Sequence, residues 1–158
     1  METVHVALEG RAYDVVIGQG LLAQASDYLR PLLKRARVAI VTDETVAAHH
    51  LTTLQSSFDA DGIAHCTLIL PAGETTKGWP EFARTVEWLV EERIERRDIV
   101  IALGGGVIGD LGGFCASTYK RGIDFIQIPT TLLAQVDASV GGKLGVDFQG
   151  LKNHIGVF

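Results

Sequence analysis

Cysteine is scarce in this chain. The two thiols, Cys66 and Cys115, fall in an expected strand and an expected helix, at no metal or redox spacing. That excludes a disulfide framework and points to buried thiols in a reducing, cytoplasmic setting. Positive charge is also short: 14 Lys and Arg stand against 19 Asp and Glu, a formal net charge of -5. A nucleic-acid or anionic-membrane surface needs clustered cations, so neither partner is expected. No apolar stretch reaches the ~18 residues of a membrane span. The N-terminus, METVHVALEG, alternates polar and apolar residues and is no signal peptide. Repeats, low-complexity tracts and linkers are missing too. With 47% apolar residues, the 158 residues are expected to form one domain, residues 1–158.

What the chain does have is concentrated in Ile99–Asp110, IVIALGGGVIGD. A β-branched apolar run meets Gly104, Gly105 and Gly106, then Gly109 and Asp110 at the start of an expected helix. Glycines let backbone come close to a guest, and a helix start offers unpaired N–H groups with partial positive charge. The natural guest is a phosphate or pyrophosphate. Gly104, Gly106 and Gly109 fit G-x-G-x-x-G, but the acidic residue about 20 positions on, Asp124, precedes its strand and lies at the wrong end to reach a ribose. No Gly-Lys-Ser/Thr follows at Walker spacing.

Thr3–Leu8 and Tyr13–Ile17 read as a hairpin around Glu9-Gly10-Arg11. Leu21–Leu33 has helical spacing and ends near Pro31. Arg37–Asp43 reads as a buried strand, Thr45–Phe58 as a helix closed by Asp61-Gly62, and Ala64–Leu70 as a third buried strand stopped by Pro71. The loop Ala72–Lys77 leads into an amphipathic helix, Trp79–Glu95. The glycine turn, a helix to about Thr118 and the strand Phe125–Ile128 follow. Alternation of apolar strands and helices predicts an α/β fold with a Rossmann-like parallel sheet covered on both faces, and the opening hairpin at one edge. Thr130–Val157 carries Gly141, Gly142, Lys143, Gly145, Gly150, Lys152 and Gly156 among few core signals. The chain stops on Phe158 without a cap or polar tail, which leads us to expect a truncated domain.

Ligands of parallel α/β sheets sit at the C-terminal strand ends. Asp43, the loop with Gly73, Glu74 and Lys77, the triple glycine, and Thr130 with Thr131 all converge there. Lys143 and Lys152 add cations suited to a second anion, and Asp137 and Asn153 add polar contacts. Blander roles compete. A lone Asp at a strand end often caps a helix, and Thr-Thr after Pro does the same. The run Glu91 to Arg97 reads as a solvated helix face. His49 and His50 lack partners at ligand spacing. His5 and His65 read as structural, and His154 adjoins Lys152 and Asn153. Trp79 and Trp88 read as helix-packing residues.

The stretches GGGVIGDLGGF (Gly104–Phe114), RGIDFIQIPTTLLAQVDASVGGK (Arg121–Lys143) and LKNHIG (Leu151–Gly156) closely resemble the 3-dehydroquinate synthase family. PAGETTK (Pro71–Lys77) and TDETV (Thr42–Val46) fall where that family has cofactor loops. The resemblance implies an NAD-binding α/β half and a helical half that binds a divalent metal, zinc or cobalt, with ligands outside this chain. It implies a cytoplasmic phosphorus–oxygen lyase of the shikimate pathway, on the way to chorismate and the aromatic amino acids. Its substrate is the sugar phosphate 3-deoxy-D-arabino-heptulosonate 7-phosphate, and its products are 3-dehydroquinate and phosphate. NAD transiently oxidises an alcohol, phosphate is eliminated, the ketone is reduced again and an aldol step closes the ring.

Carried over by position, Asp43, Glu74 and Lys77 hold the adenosine side of NAD, and Ala72, Gly73, Thr75 and Thr76 of the same loop belong to the cofactor set. Gly105, Gly106, Val107, Ile108, Gly109 and Asp110 cradle its pyrophosphate. Thr130, Thr131, Asp137 and Lys143 line the nicotinamide half, and Lys152 also belongs to the cofactor set. The catalytic set implied is Arg121, Asp137, Lys143, Lys152 and Asn153, with Arg121 reaching substrate phosphate across a homodimer interface. Leu144 and Asp147 depart from the family's usual Thr and Asn. The alternatives are a sugar-phosphate cyclase making an inosose or valiolone, a glycerol dehydrogenase-type enzyme, and a non-catalytic NAD-binding module. The chain by itself is expected to be inactive.

Overall fold

The computed structural model describes residues 1–158. Its centre is a four-stranded parallel sheet of β3 (Arg37–Asp43), β4 (Ala64–Leu70), β5 (Ile99–Gly104) and β6 (Asp124–Pro129), in the order β4-β3-β5-β6. All three neighbouring pairs are parallel. The chain therefore moves outward from β3 to β4 and then returns to the other side of β3, which puts the topological switch between β3 and β5. β5 is buried along its whole length, and β3 is buried between its two ends. Their β-branched runs thus need no polar face.

Two apolar clusters cover the two faces. On one side Val38, Ile40, Ile101 and Leu103 pack against Leu54 and Phe58 of α3 (Thr52–Ala60) and Leu29 of α1 (Ala25–Leu29). On the other, Ala39, Val41, Val100 and Ala102 meet Leu89 of α4 (Trp79–Glu91) and Ile108, Leu111 and Phe114 of α5 (Gly106–Thr118). No helix is long and apolar enough to cross a membrane.

Several expected elements come out differently. The opening hairpin, β1 (Glu2–Val6) and β2 (Tyr13–Ile17), forms its own two-stranded sheet and does not join the edge of the parallel one. β4 is an edge strand and mostly half-buried, because only β3 pairs with it. Leu21–Leu33 breaks into a 3-10 turn (Leu21–Gln24), α1 and a second 3-10 turn (Arg30–Leu32) that contains Pro31. The helix after Asp43 is continuous from α2 (Glu44–Val46) to α3, but passes through a π-helical turn, Ala47–Leu51.

Helix α4 stops at Glu91, short of the expected Glu95. Arg93 takes a left-handed φ of 53°. The Arg93 N–H donates to the Val90 carbonyl and the Ile94 N–H to the Leu89 carbonyl, each at 3.0 Å. This is a Schellman ending with Arg where Gly is usual, sealed by the buried Ile94 and Leu89.

The glycine-rich end is ordered. β7 (Leu144–Phe148) and β8 (Leu151–Val157) pair as an antiparallel hairpin with a bulge between Val146 and Phe148. Val146 is fully buried in the core cluster that contains α5. Helix α5 is thus enclosed between sheet and hairpin, and most of its residues are buried. Glycine makes the fit possible. A Cβ on Gly109 would lie 2.7 Å from Gln127 Oε1 of β6, and a Cβ on Gly113 would lie 2.8 Å from the Phe125 ring and collide with Leu144. Leu144 therefore fills the space that Gly113 leaves open.

Overpacking of this kind costs about 1–3 kcal/mol. Gly113→Ala is expected to lower stability by that amount even though Ala is the better helix former by about 1 kcal/mol. Urea unfolding checks it; an unchanged or higher midpoint would refute the close-packed fit.

Candidate functional site

The switch between β3 and β5 opens a cleft of ≈ 340 Å³, lined among others by Asp43, Thr45, Gly73, Gly105, Gly106 and Thr131. It lies at the C-terminal strand ends, where an open α/β sheet places its ligands. Helix α5 points its N-terminus here. Gly105 caps it with extended backbone and no side-chain hydrogen bond, and no acidic residue stands in the first turn. The N–H groups of Gly106, Val107 and Ile108 are thus left for a guest, with the positive helix end behind them.

Asp43 caps a helix and also lines the cleft. It caps α2: Val46 N–H donates to its Oδ1 at 3.0 Å. Its other oxygen makes no hydrogen bond within the chain, and the residue lines the cleft. On the opposite side, Thr131 caps the following turn by accepting from Ala134 N–H at 3.2 Å. Thr130 donates its backbone N–H to the Gly104 carbonyl at 3.0 Å. The Thr130 hydroxyl is buried without a partner.

The loop before α4 forms the near wall. Gly73 has φ 110° and Thr76 is a scaffold residue, buried, with its hydroxyl donating to the Pro71 carbonyl at 2.5 Å. Thr75 and Glu74 are exposed. Lys77 does not present its charge to the cleft. It is 5% exposed, and its ammonium donates to Asp110 Oδ2 of α5 and to Asn153 Oδ1 of β8. Asp110 is half-buried behind the helix start. Asn153, with φ 52°, donates its backbone N–H to Asp147 Oδ1 at 2.8 Å. Asp147 thus has a definite contact, although an Asn in its place also offers an acceptor. Lys152 sits 3.5 Å from the Glu74 carboxylate, which joins the strand to the loop.

The expected residues therefore divide. Asp43, Ala72, Gly73, Gly105, Gly106, Val107, Ile108 and Thr131 share the cleft wall. Lys77, Asp110 and Asn153 form a linked layer beside it. Gly109 is buried and serves helix packing. Asp137, in a π-helical segment (Ala134–Ala138), and Lys143, before β7, are exposed and outside the cleft walls. Arg121 is not brought to the cleft: it precedes β6, whose N-terminal end lies a strand length, about 17–20 Å, from the C-terminal ends. Sequence reasoning passed over Thr45 and Val46 as wall residues, although both follow Asp43 within TDETV. No group of three His, Cys, Asp or Glu is placed to hold a metal ion.

Burial pushes the thiols of Cys66 and Cys115 up to about 11 and about 12, which leaves both protonated and inert. Burial also raises the Asp110 carboxyl above its ordinary 3.8; the Lys77 ammonium opposes this, and Glu74 and Asp147 reinforce it. A carboxyl raised in the folded state binds its proton more tightly there than in the unfolded chain. The stability it lends is full below the ordinary value and is lost as pH rises through the folded one. Wild type should accordingly lose stability relative to Asp110→Asn as pH rises from about 3.8. Urea unfolding of both proteins across pH checks this; a wild-type advantage that grows with pH would count against it.

Comparison with known proteins gives concordant results. The family described as 3-dehydroquinate synthase N-terminal matches residues 67–158. The chain is similar to a 3-dehydroquinate synthase of Ruegeria sp. (strain TM1040), 60% identical over 157 residues, covering 99% of this chain and 42% of that protein. Among solved structures, a 2-epi-5-epi-valiolone synthase from Streptomyces hygroscopicus subsp. jinggangensis 5008 with NAD+ and Zn2+ bound superposes with a TM-score of 0.85. It is 33% identical and covers 97% of this chain and 42% of that one. A 2-deoxy-scyllo-inosose synthase complexed with carbaglucose-6-phosphate, NAD+ and Co2+ shares the fold, with a TM-score of 0.89 at 24% identity over 99% of this chain and 43% of that one. The chain spans less than half the length of each of these relatives.

Proposed function

The chain belongs to the 3-dehydroquinate synthase family, and from that premise we propose that residues 1–158 are an NAD-binding α/β domain. We further propose that it serves conversion of 3-deoxy-D-arabino-heptulosonate 7-phosphate to 3-dehydroquinate and phosphate. One observation carries the cofactor reading: an uncapped 13-residue helix opens, behind a glycine turn, into a cleft at the strand switch that also holds a free carboxylate oxygen.

That donor and acceptor set suits a dinucleotide. Gly106, Val107 and Ile108 offer N–H groups to a pyrophosphate, and the free oxygen of Asp43 accepts from a ribose hydroxyl. Thr131, in the cleft wall, keeps its hydroxyl proton for an amide or phosphate oxygen at the far side of the cleft. Bound NAD supplies reversible hydride transfer. The chain's own residues hold and orient it, and Lys152 and Lys143 provide cations for a phosphorylated substrate. The residues present do not fit the metal that the relatives' structures carry, so no step is assigned to one. Higher identity to a 3-dehydroquinate synthase (60%) than to a valiolone-forming cyclase (33%) favours the first substrate. A homodimer and a cytoplasmic setting complete the proposal.

Calorimetric titration with NAD, with ADP-ribose as the comparison, tests it. Saturable binding largely retained by ADP-ribose is expected, and a folded chain that binds neither would sink the cofactor assignment. Asp43→Asn keeps the cap acceptor and removes the charge. It is expected to weaken NAD about tenfold or more, since a hydrogen bond to a charged group is worth ~1.5–3 kcal/mol. Undiminished affinity would remove Asp43 from the ribose site.

A further inference from the structure

We propose that Lys77 is a positioning residue that fixes the amide of Asn153 so that its NH2 group is turned to substrate oxygen. The inference rests on the reading of Asn153 as a substrate contact, and it differs from a role for Lys77 as a cofactor ligand. An ammonium has three donors and no acceptor. The atom of Asn153 that faces it must be the carbonyl oxygen, so chemistry settles the orientation of the amide. The NH2 group makes no hydrogen bond within the chain and the residue is exposed, so both amide protons are open to a ligand.

Both ends of Asn153 are held. Asp147 accepts its backbone N–H at 2.8 Å and keeps it in the left-handed region, φ 52°, a conformation Asn tolerates better than most residues. Lys77 holds the side chain. Lys77 is itself fixed, being 5% exposed and paired with Asp110 on α5. A long flexible side chain buried at this cost is poorly suited to exchanging partners with each ligand, but well suited to joining three segments: the loop before α4, the helix behind the glycine turn, and β8. Its neighbour Lys152 stays exposed and charged, 3.5 Å from Glu74. Lys152 and Asn153, consecutive residues of β8, thus carry an ammonium and a neutral amide donor. That pair suits an oxygen-rich anion carrying a second acceptor, such as a phosphorylated sugar.

Asn153 is the sole asparagine in the sequence, so selective 15N-asparagine labelling gives one side-chain NH2 signal. In wild type its heteronuclear NOE is expected to match the backbone amides of β8. In Lys77→Met it is expected to fall to that of a freely rotating side chain. Inorganic phosphate should shift the wild-type signal, and shift it at least tenfold less in Lys77→Met. If that variant fails to fold with Asp110 left unpaired, Lys77→Met with Asp110→Asn replaces the buried pair by neutral groups and gives the same readout. Equal ordering with and without Lys77, or a phosphate shift that is missing from wild type or survives the substitution, overturns the proposal. NAD calorimetry on the same wild-type sample separates the two readings: an ordered Asn153 in a chain that binds no NAD defeats the cofactor assignment and leaves this one standing.

Discussion

Everything in this molecule depends on how closely helix α5 lies to its neighbours. Gly109 admits Gln127 and Gly113 admits Phe125 and Leu144. The helix is thereby enclosed between the parallel sheet and the terminal hairpin, with apolar residues around most of its surface. That embedding holds its N-terminus at the switch between β3 and β5, and holds Asp110 where Lys77 can reach it. Interiors packed to crystal-like density transmit small volume changes. The glycines of GGGVIGDLGGF therefore do two jobs: the first ones open backbone to a guest, and the later ones let the helix that presents that backbone sit where it does.

Much of the fold was legible because its signals are local. Apolar runs of four to seven residues mark the four parallel strands, and glycine or proline ends three of them, Asp43 the fourth. The failures are equally physical. The reading of α4 overran because a Schellman ending normally advertises itself by Gly, and here Arg93 occupies the left-handed position. The β7–β8 hairpin carries little strand signal because only Gly145 and Val146 are fully buried in β7; the Gly145–Gly156 pair and the bulge between Val146 and Phe148 interrupt the alternation in which Leu144, Phe148 and Ile155 pack. The separate pairing of β1 with β2 is a tertiary choice, and nothing in an alternating hairpin says which sheet it joins.

The site divides along the same line. The residues that line the cleft were legible, since strand ends and a glycine turn announce themselves in order along the chain. The layer behind them was not. Lys77 and Asn153 are 76 positions apart, and no spacing rule reaches that far. The resemblance placed all three members of the network near the ligands, but it could not say that Lys77 would spend its charge on Asp110 and Asn153. A buried lysine reads in sequence like any other lysine.

The embedding of α5 also has a mechanical consequence. A helix locked on two sides by close contacts has no room to slide or roll, so the wall it contributes behaves as an anvil. Any tightening around a guest must come from the other side. The candidates are the exposed loop from Pro71 to Thr75, pivoting at Gly73 with its φ of 110°, and the exposed strand carrying Lys152. These two are joined at their surface by the Glu74–Lys152 pair and beneath it by Lys77. Because Lys77 also holds Asp110 of α5, their inner ends are fastened to the anvil, and only the exposed outer ends at Glu74 and Lys152 are left to move.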